Sequence, residues 1–213
     1  MKTDDLIAML STNVERVDTR QVSRKIGMAV AAGAAAAFGA VLVVHGVRGD
    51  LTGSSALTYL PLKLVFTLVT VVLTSIALTR LARPGGERKT PVALVALPFV
   101  AIIVLAAISL ASAPSTHWDR MLVGDQWLEC LLSIPIIAVV PFALIIWAVR
   151  AMAPTDLARA GALAGLVAGS VSATAYAFHC MDDSLPFVAL WYGGTIILCT
   201  LAGAVLGPRL LRW

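Results

Sequence analysis

The chain has 213 residues, 59% of them hydrophobic and 13% charged, with a formal net charge of +4 and a mean hydropathy of +0.91. Soluble domains hold about 45–50% apolar and about 25% charged residues, so the composition excludes a soluble globular domain, and its apolar content excludes a disordered chain. Three cysteines are too few for the disulfide scaffold of a small secreted domain, and an excess of positive charge is no argument for nucleic acid where a membrane segregates the charges.

Residues 1–25 form a charged arm. Thr3 and Asp4 can cap a helix in which Leu6, Leu10, Val14 and Val17 recur at helical spacing, with Ile7 and Met9 beside them. Such a stripe either lies on a membrane surface or docks into a groove on a protein partner. Its first half sets Asp4, Asp5 and Glu15 against only Lys2 and Arg16, too few cations for a membrane-surface helix, which favours the partner.

Six apolar stretches follow, roughly 26–47, 60–79, 91–112, 128–149, 160–178 and 186–206. Each is close to the roughly 20 residues that cross a hydrocarbon core as a helix. Their apolar runs are continuous rather than alternating, which argues against a membrane barrel. The first is no signal peptide, because it lacks a short apolar core followed by a small-residue cleavage site. The expected fold is all-α: a polytopic six-transmembrane-helix bundle over 26–213, with a short cytoplasmic amphipathic helix before it.

Orientation follows from lysine and arginine. With the N-terminus inside, only Arg48, Lys63 and Arg120 lie outside, and every other basic residue falls on the cytoplasmic side, including those of the inner loops at 80–90 and 150–159. Both termini are then cytoplasmic. Tyr59, Trp118, Trp127, Tyr176, Trp191 and Tyr192 fall near the outer boundary as interfacial aromatics. Lys63, about one turn inside the second span, is expected to snorkel outward as an anchor.

Helices in lipid associate through close packing and polar contacts. The fifth span carries Gly161, Gly165, Gly169, Ala173 and Ala177, one small residue every four positions. This ridge suits packing within the chain, with homodimerisation as the alternative. Pro98, Pro135 and Pro141 lie inside spans three and four and are expected to bend them.

No Asp, Glu, Lys or Arg falls near the midplane of any span, which argues against an ion-coupled transporter. The signatures HExxH, GxSxG, a Walker loop, a dinucleotide fingerprint and CxxC are absent, so no enzyme is expected. What remains gathers on the outer side. Cys130 lies just inside the outer end of the fourth span, and Cys180 at the outer end of the fifth, within His179-Cys180-Met181-Asp182-Asp183-Ser184. These spans form one helical hairpin, so the two thiols share its open end. The pair can bridge if the ridge brings the helices close; it can bind a soft metal, with His179, Asp182, Asp183 or His117 completing the site; or each cysteine is simply a small hydrophobe. Cys199, deep in the sixth span, reads as packing.

Three stretches carry a resemblance that spans essentially the whole chain: Met1-Lys2-Thr3-Asp4-Asp5-Leu6-Ile7; Leu128-Glu129-Cys130-Leu131 with Ile134-Pro135; and Gly161 to Gly194, above all Tyr176-Ala177-Phe178-His179-Cys180-Met181-Asp182-Asp183-Ser184 with Phe187 and Trp191-Tyr192. In these the chain resembles the NrsF-type anti-sigma factors, integral membrane negative regulators of extracytoplasmic-function sigma factors. The resemblance implies an inner-membrane protein that holds such a sigma factor inactive until heavy-metal or oxidative stress is sensed. Cys130 and Cys180 would be the sensing thiols, with no required cofactor beyond a transient heavy-metal ion. The arm, with Asp4, Leu6, Ile7, Leu10 and Val14, would contact the sigma factor, and no nucleic acid would be bound directly. The rival readings are a small-molecule or metal transporter and, more weakly, a membrane thiol oxidoreductase.

Overall fold

The computed structural model describes Thr3 and residues 19–50, 53–82, 93–152 and 154–212. The residues Asp4, Leu6, Ile7, Leu10 and Val14 of the arm, and most of the basic loop at 80–90, lie outside the described residues. Among the described residues there is no strand, and six helices are long and apolar enough to cross a membrane. These are α1 (Thr19–Val44), α2 (Ser54–Leu81), α3 (Ala93–Ser112), α5 (Trp127–Arg150), α6 (Leu157–Tyr176) and α7 (Gly193–Leu210), with a short α4 (Trp118–Val123) between the third and fourth. The chain is thus an all-α polytopic bundle. α1 begins well ahead of its apolar stretch, because hydropathy marks the hydrocarbon and not the helix end: Arg24 and Lys25 are already helical.

The six helices leave one group of connecting residues, 45–50, 113–126 and 177–184, at one end of the bundle, here the cysteine end. The opposite end holds the start of α1, the end of α2, the link between α5 and α6, and the end of α7.

α6 is the centre of the fold. It packs on α7 most extensively and also on α5, α2 and α1, and from Leu163 to Tyr176 every residue is buried. The ridge explains why. A Cβ on Gly161 would strike the Gly203 carbonyl and Gly207, and one on Gly165 would strike the Cys199 carbonyl. Cys199, Gly203 and Gly207 recur every four residues on α7, so two small-residue faces meet and let the backbones touch. The ridge therefore faces the sixth span and is covered within one chain. It does not face the fourth span.

Prolines at 61, 98, 135, 141 and 208 all lie within helices. The approach to α7 runs through a helical turn at Leu185–Phe187 and a π-helical stretch at Val188–Tyr192. One π turn shifts the register of the side chains that follow, and it ends on Tyr192, which is buried.

Candidate functional site

Cys130 enters from the first turns of α5, and Cys180 from the link that follows α6. Their sulfurs are 4.0 Å apart and both side chains are fully buried, as free thiols. A bridge requires about 2.05 Å between sulfurs, so the pair stands within a side-chain rotation and a small backbone shift of bonding.

The link 177–184 is held there from two sides. On one, Asp182 accepts from the backbone N–H groups of Asp125 (3.1 Å) and Gln126 (2.7 Å), immediately before α5. This satisfies donors at a helix N-terminus with a negative charge, the favourable sense for the helix dipole. Met181 N–H donates to Gln126 Oε1 at 2.9 Å, and Ser184 Oγ donates to the Met121 carbonyl at 2.6 Å. Gly124, at φ +62°, makes this approach possible: a Cβ there would lie 2.7 Å from the Asp182 carboxylate and from the Phe187 ring.

On the other side the link meets the α1–α2 connection. Arg48 N–H donates to the Phe178 carbonyl at 3.0 Å. The Arg48 guanidinium donates to the Cys180 carbonyl at 3.0 Å and to both carboxylate oxygens of Asp183, at 3.0 and 2.7 Å, with Asp50 also bound. Lys63 Nζ donates to Asp183 at 2.9 Å and to the Cys180 carbonyl at 3.2 Å. Arg48 and Lys63 are fully buried and Asp183 is 8% exposed, whereas Asp50 is half exposed. Lys63 therefore does not snorkel: its charge is neutralised inside the bundle.

Charges buried this way persist only when paired and hydrogen-bonded throughout. Burial alone would raise the Asp183 carboxyl, but hydrogen bonds from Arg48 and Lys63 outweigh it and hold it below the ordinary value. Hydrogen bonds to Asp50 and Asp183 raise Arg48 further. The Cys180 thiol is lowered to about 7, first by its hydrogen bond with the Cys130 thiol and then, against burial, by the Lys63 charge.

Aromatic side chains close the pocket. Tyr176 stands beside Cys130 and Tyr192 beside Cys180, both fully buried and neither hydroxyl with a hydrogen-bond partner of standard geometry. They are site walls, although their positions near the boundary suggest interfacial aromatics. His179 turns away from the sulfurs: its Nδ1 faces the Gly46 carbonyl at 3.3 Å and its Nε2 lies 4.0 Å from Glu129. His45 stacks edge-on against it with centroids 5.0 Å apart, and Ser133 holds His45 Nε2 at 3.1 Å. Burial and then His179 lower the His45 pKa.

Of the residues read as supporting ligands, Asp182 and Asp183 are thus committed to the helix start and to the two cations, and His117 is exposed in a 3-10 turn at Ser115–His117. Among the described residues no group of three or more His, Cys, Asp or Glu side chains is placed to hold a metal ion. Arg48 and Lys63 went unrecognised in the sequence, yet a signal was there. They are two of the three basic residues on their side, and an Asp-Asp doublet lies opposite.

A six-helix membrane protein with a buried, charge-wired thiol pair at one end is the class that fold and site define. Residues 10–213 match the family model described as "Negative regulator of sigma F" (NrsF). The chain is 32% identical to the "Probable anti-sigma-F factor NrsF" of Azospira oryzae, covering all of both chains, and 32% identical to the "Anti-sigma-F factor NrsF" of Caulobacter vibrioides, again over the whole of each. The chain belongs to the NrsF family. No solved structure matches it.

Proposed function

We infer that this chain is a membrane-bound anti-sigma factor that sequesters an extracytoplasmic-function sigma factor at the bacterial inner membrane. It releases that factor when Cys130 and Cys180 meet a thiol-directed stress, an oxidant or a soft heavy-metal ion. Both termini are cytoplasmic in this reading, and the cysteine end faces outward. The observation that carries it is the juxtaposition of the two thiols at 4.0 Å in a chain that matches anti-sigma-F factors from end to end.

The physical link is the fastening of the 177–184 segment. A new bond or ligand between the sulfurs pulls that segment toward α5, while Arg48 and Lys63 hold it toward α1 and α2. The strain passes along α6, which touches α1, α2, α5 and α7, to the end of the bundle where the arm and the basic loops begin. Coupling between distant sites is typically about 1–3 kcal/mol and is reciprocal. Bound sigma factor therefore shifts the equilibrium of thiol bridging or metal binding by the same factor as that modification shifts sigma binding.

The test is co-purification in detergent with a co-expressed extracytoplasmic-function sigma factor from the same organism. The unaltered protein retains it and releases it on oxidant treatment. The double variant Cys130→Ser, Cys180→Ser retains it and does not respond. Leu6→Asp or Leu10→Asp weakens capture without disturbing insertion. A double variant that still responds removes the sensing role, and capture that survives both arm substitutions removes the arm from the interface.

A further inference from the structure

We propose that Lys63, backed by Arg48, makes Cys180 the attacking thiol of the pair and leaves Cys130 as the resolving thiol. This rests on the reading of the pair as reactive and assigns a different role to each sulfur. The two thiols are equally buried and each has a tyrosine beside it, so neither burial nor the phenols distinguish them. Charge does.

Two full cations converge on Cys180. Lys63 and Arg48 both donate to its own carbonyl, at 3.2 and 3.0 Å, and Lys63 Nζ lies 6.0 Å from the centre of the Tyr192 ring. Asp183 answers both of them, and Asp50 pairs with Arg48 alone. Asp50 takes up the Arg48 charge through two hydrogen bonds, at 2.6 and 2.9 Å, which leaves Lys63 as the cation with no carboxylate of its own. Lys63 shares its one carboxylate, Asp183, with Arg48, and a thiolate on Cys180 adds a second negative charge beside it. A nearby opposite charge favours the ionised form, and the thiolate is the nucleophile. The Cys180 thiol is lowered first by its hydrogen bond with Cys130 and then, against burial, by Lys63.

Cys130 has a weaker claim. It lies in the first turns of α5, where the helix dipole supplies a fractional positive charge. Asp182 already occupies the N–H groups at that helix start. Cys130 is left as the thiol that keeps its proton and donates it toward Cys180.

With a peroxide as oxidant the steps balance. The Cys180 thiolate attacks one oxygen of hydrogen peroxide, an S–O bond forms as the O–O bond breaks, and the departing hydroxide takes up a proton as water. Cys130 sulfur then attacks Cys180 sulfur. The S–S bond forms, the S–O bond breaks, and hydroxide leaves with the Cys130 proton as a second water. Two thiols are oxidised by two electrons and one peroxide is reduced. Lys63 and Arg48 touch no reacting atom and act as positioning residues.

The experiment uses the full chain in detergent with limiting hydrogen peroxide and dimedone, which traps sulfenic acids, read by mass spectrometry. In Cys130→Ser the adduct accumulates on Cys180; in Cys180→Ser an adduct on Cys130 forms at least about threefold more slowly, because less of Cys130 is thiolate and the lower nucleophilicity of a more acidic thiol offsets only part of that. Lys63→Met slows the Cys180 adduct by a similar factor and Lys63→Arg restores it, which loss of packing alone would not produce. Should Lys63→Met fail to fold, the unaltered protein still decides: limiting iodoacetamide labels Cys180 before Cys130. Equal or reversed labelling, or a Cys180 rate indifferent to Lys63→Met, overturns the assignment while leaving the pair reactive. A protein in which neither sulfur reacts overturns the assignment and the sensing reading together.

Discussion

The two ends of α6 each carry an aspartate bound to an arginine, and the two pairs have little in common. At the start of the helix Asp156 accepts from the Arg159 N–H at 2.9 Å and meets its guanidinium at 3.1 Å, with side chains 30% and 66% exposed. Beyond the other end Asp183 holds two fully buried cations. An exposed pair between neighbouring residues contributes little beyond its cap. A buried set costs heavily to assemble and more to break. The same residue types thus terminate a helix at one end and fasten three connections around a thiol pair at the other.

Asp183→Asn breaks that contrast most severely. It leaves Arg48 and Lys63 buried without a carboxylate, so stability should fall by about 3–5 kcal/mol, read by denaturant titration in mixed micelles. A loss no larger than that of an exposed pair would mean that water reaches the cations and that the cysteine end is open.

Between the two ends the helix is held by shape. Gly165→Leu should cost about 1–3 kcal/mol as an overpacked contact, because even its Cβ meets the Cys199 carbonyl of α7. The same leucine at Ala101, exposed on α3, should change stability negligibly in the same titration. If Gly165→Leu is tolerated, the α6–α7 seam is not the rigid element joining the ends.

How much of this could be read in advance differs by region for physical reasons. The six spans were legible because lipid imposes a length and a composition on every crossing. The Cys130–Cys180 proximity was legible because consecutive helices pack antiparallel and both residues fall at the same end. The ridge on α6 was legible as a ridge, but its partner was not. Sequence order suggests α5, whereas the matching face is Cys199-Gly203-Gly207 on α7, where small residues answer small residues. Lys63 misled because a lysine near a boundary usually snorkels. Its burial depends on Asp183, which is distant in sequence and reaches it only through the folded link. Tyr176 and Tyr192 misled in the same way, since an amphipathic ring fits an interface and a polar pocket equally well.

At the quiet end, Asp156→Ala removes the N-cap of α6. The expected loss is about 1 kcal/mol, and Arg159→Ala should cost less still, because the cap accepts from the backbone and not from the guanidinium. A loss matching that of Asp183→Asn would erase the distinction between the ends.

The smallest effect expected is the histidine step in the pH dependence of the cysteine end, where the signs follow from two groups with lowered pKa values. His45 has a folded pKa below 6.5, set first by burial and then by His179. The unfolded chain therefore takes up its proton first, and stability falls as pH drops below 6.5 until the folded histidine is also protonated. Asp183 has a folded pKa below 3.8, so the stability it contributes is intact above that value and is lost only as pH falls through its folded pKa. Thermal melting in detergent should show a slight decline as pH falls below 6.5 and a steeper one as it falls below 3.8. His45→Gln, which can still meet Ser133, should abolish the first decline and leave the second. Retention of the first step in that variant would mean that His45 is not the group behind it.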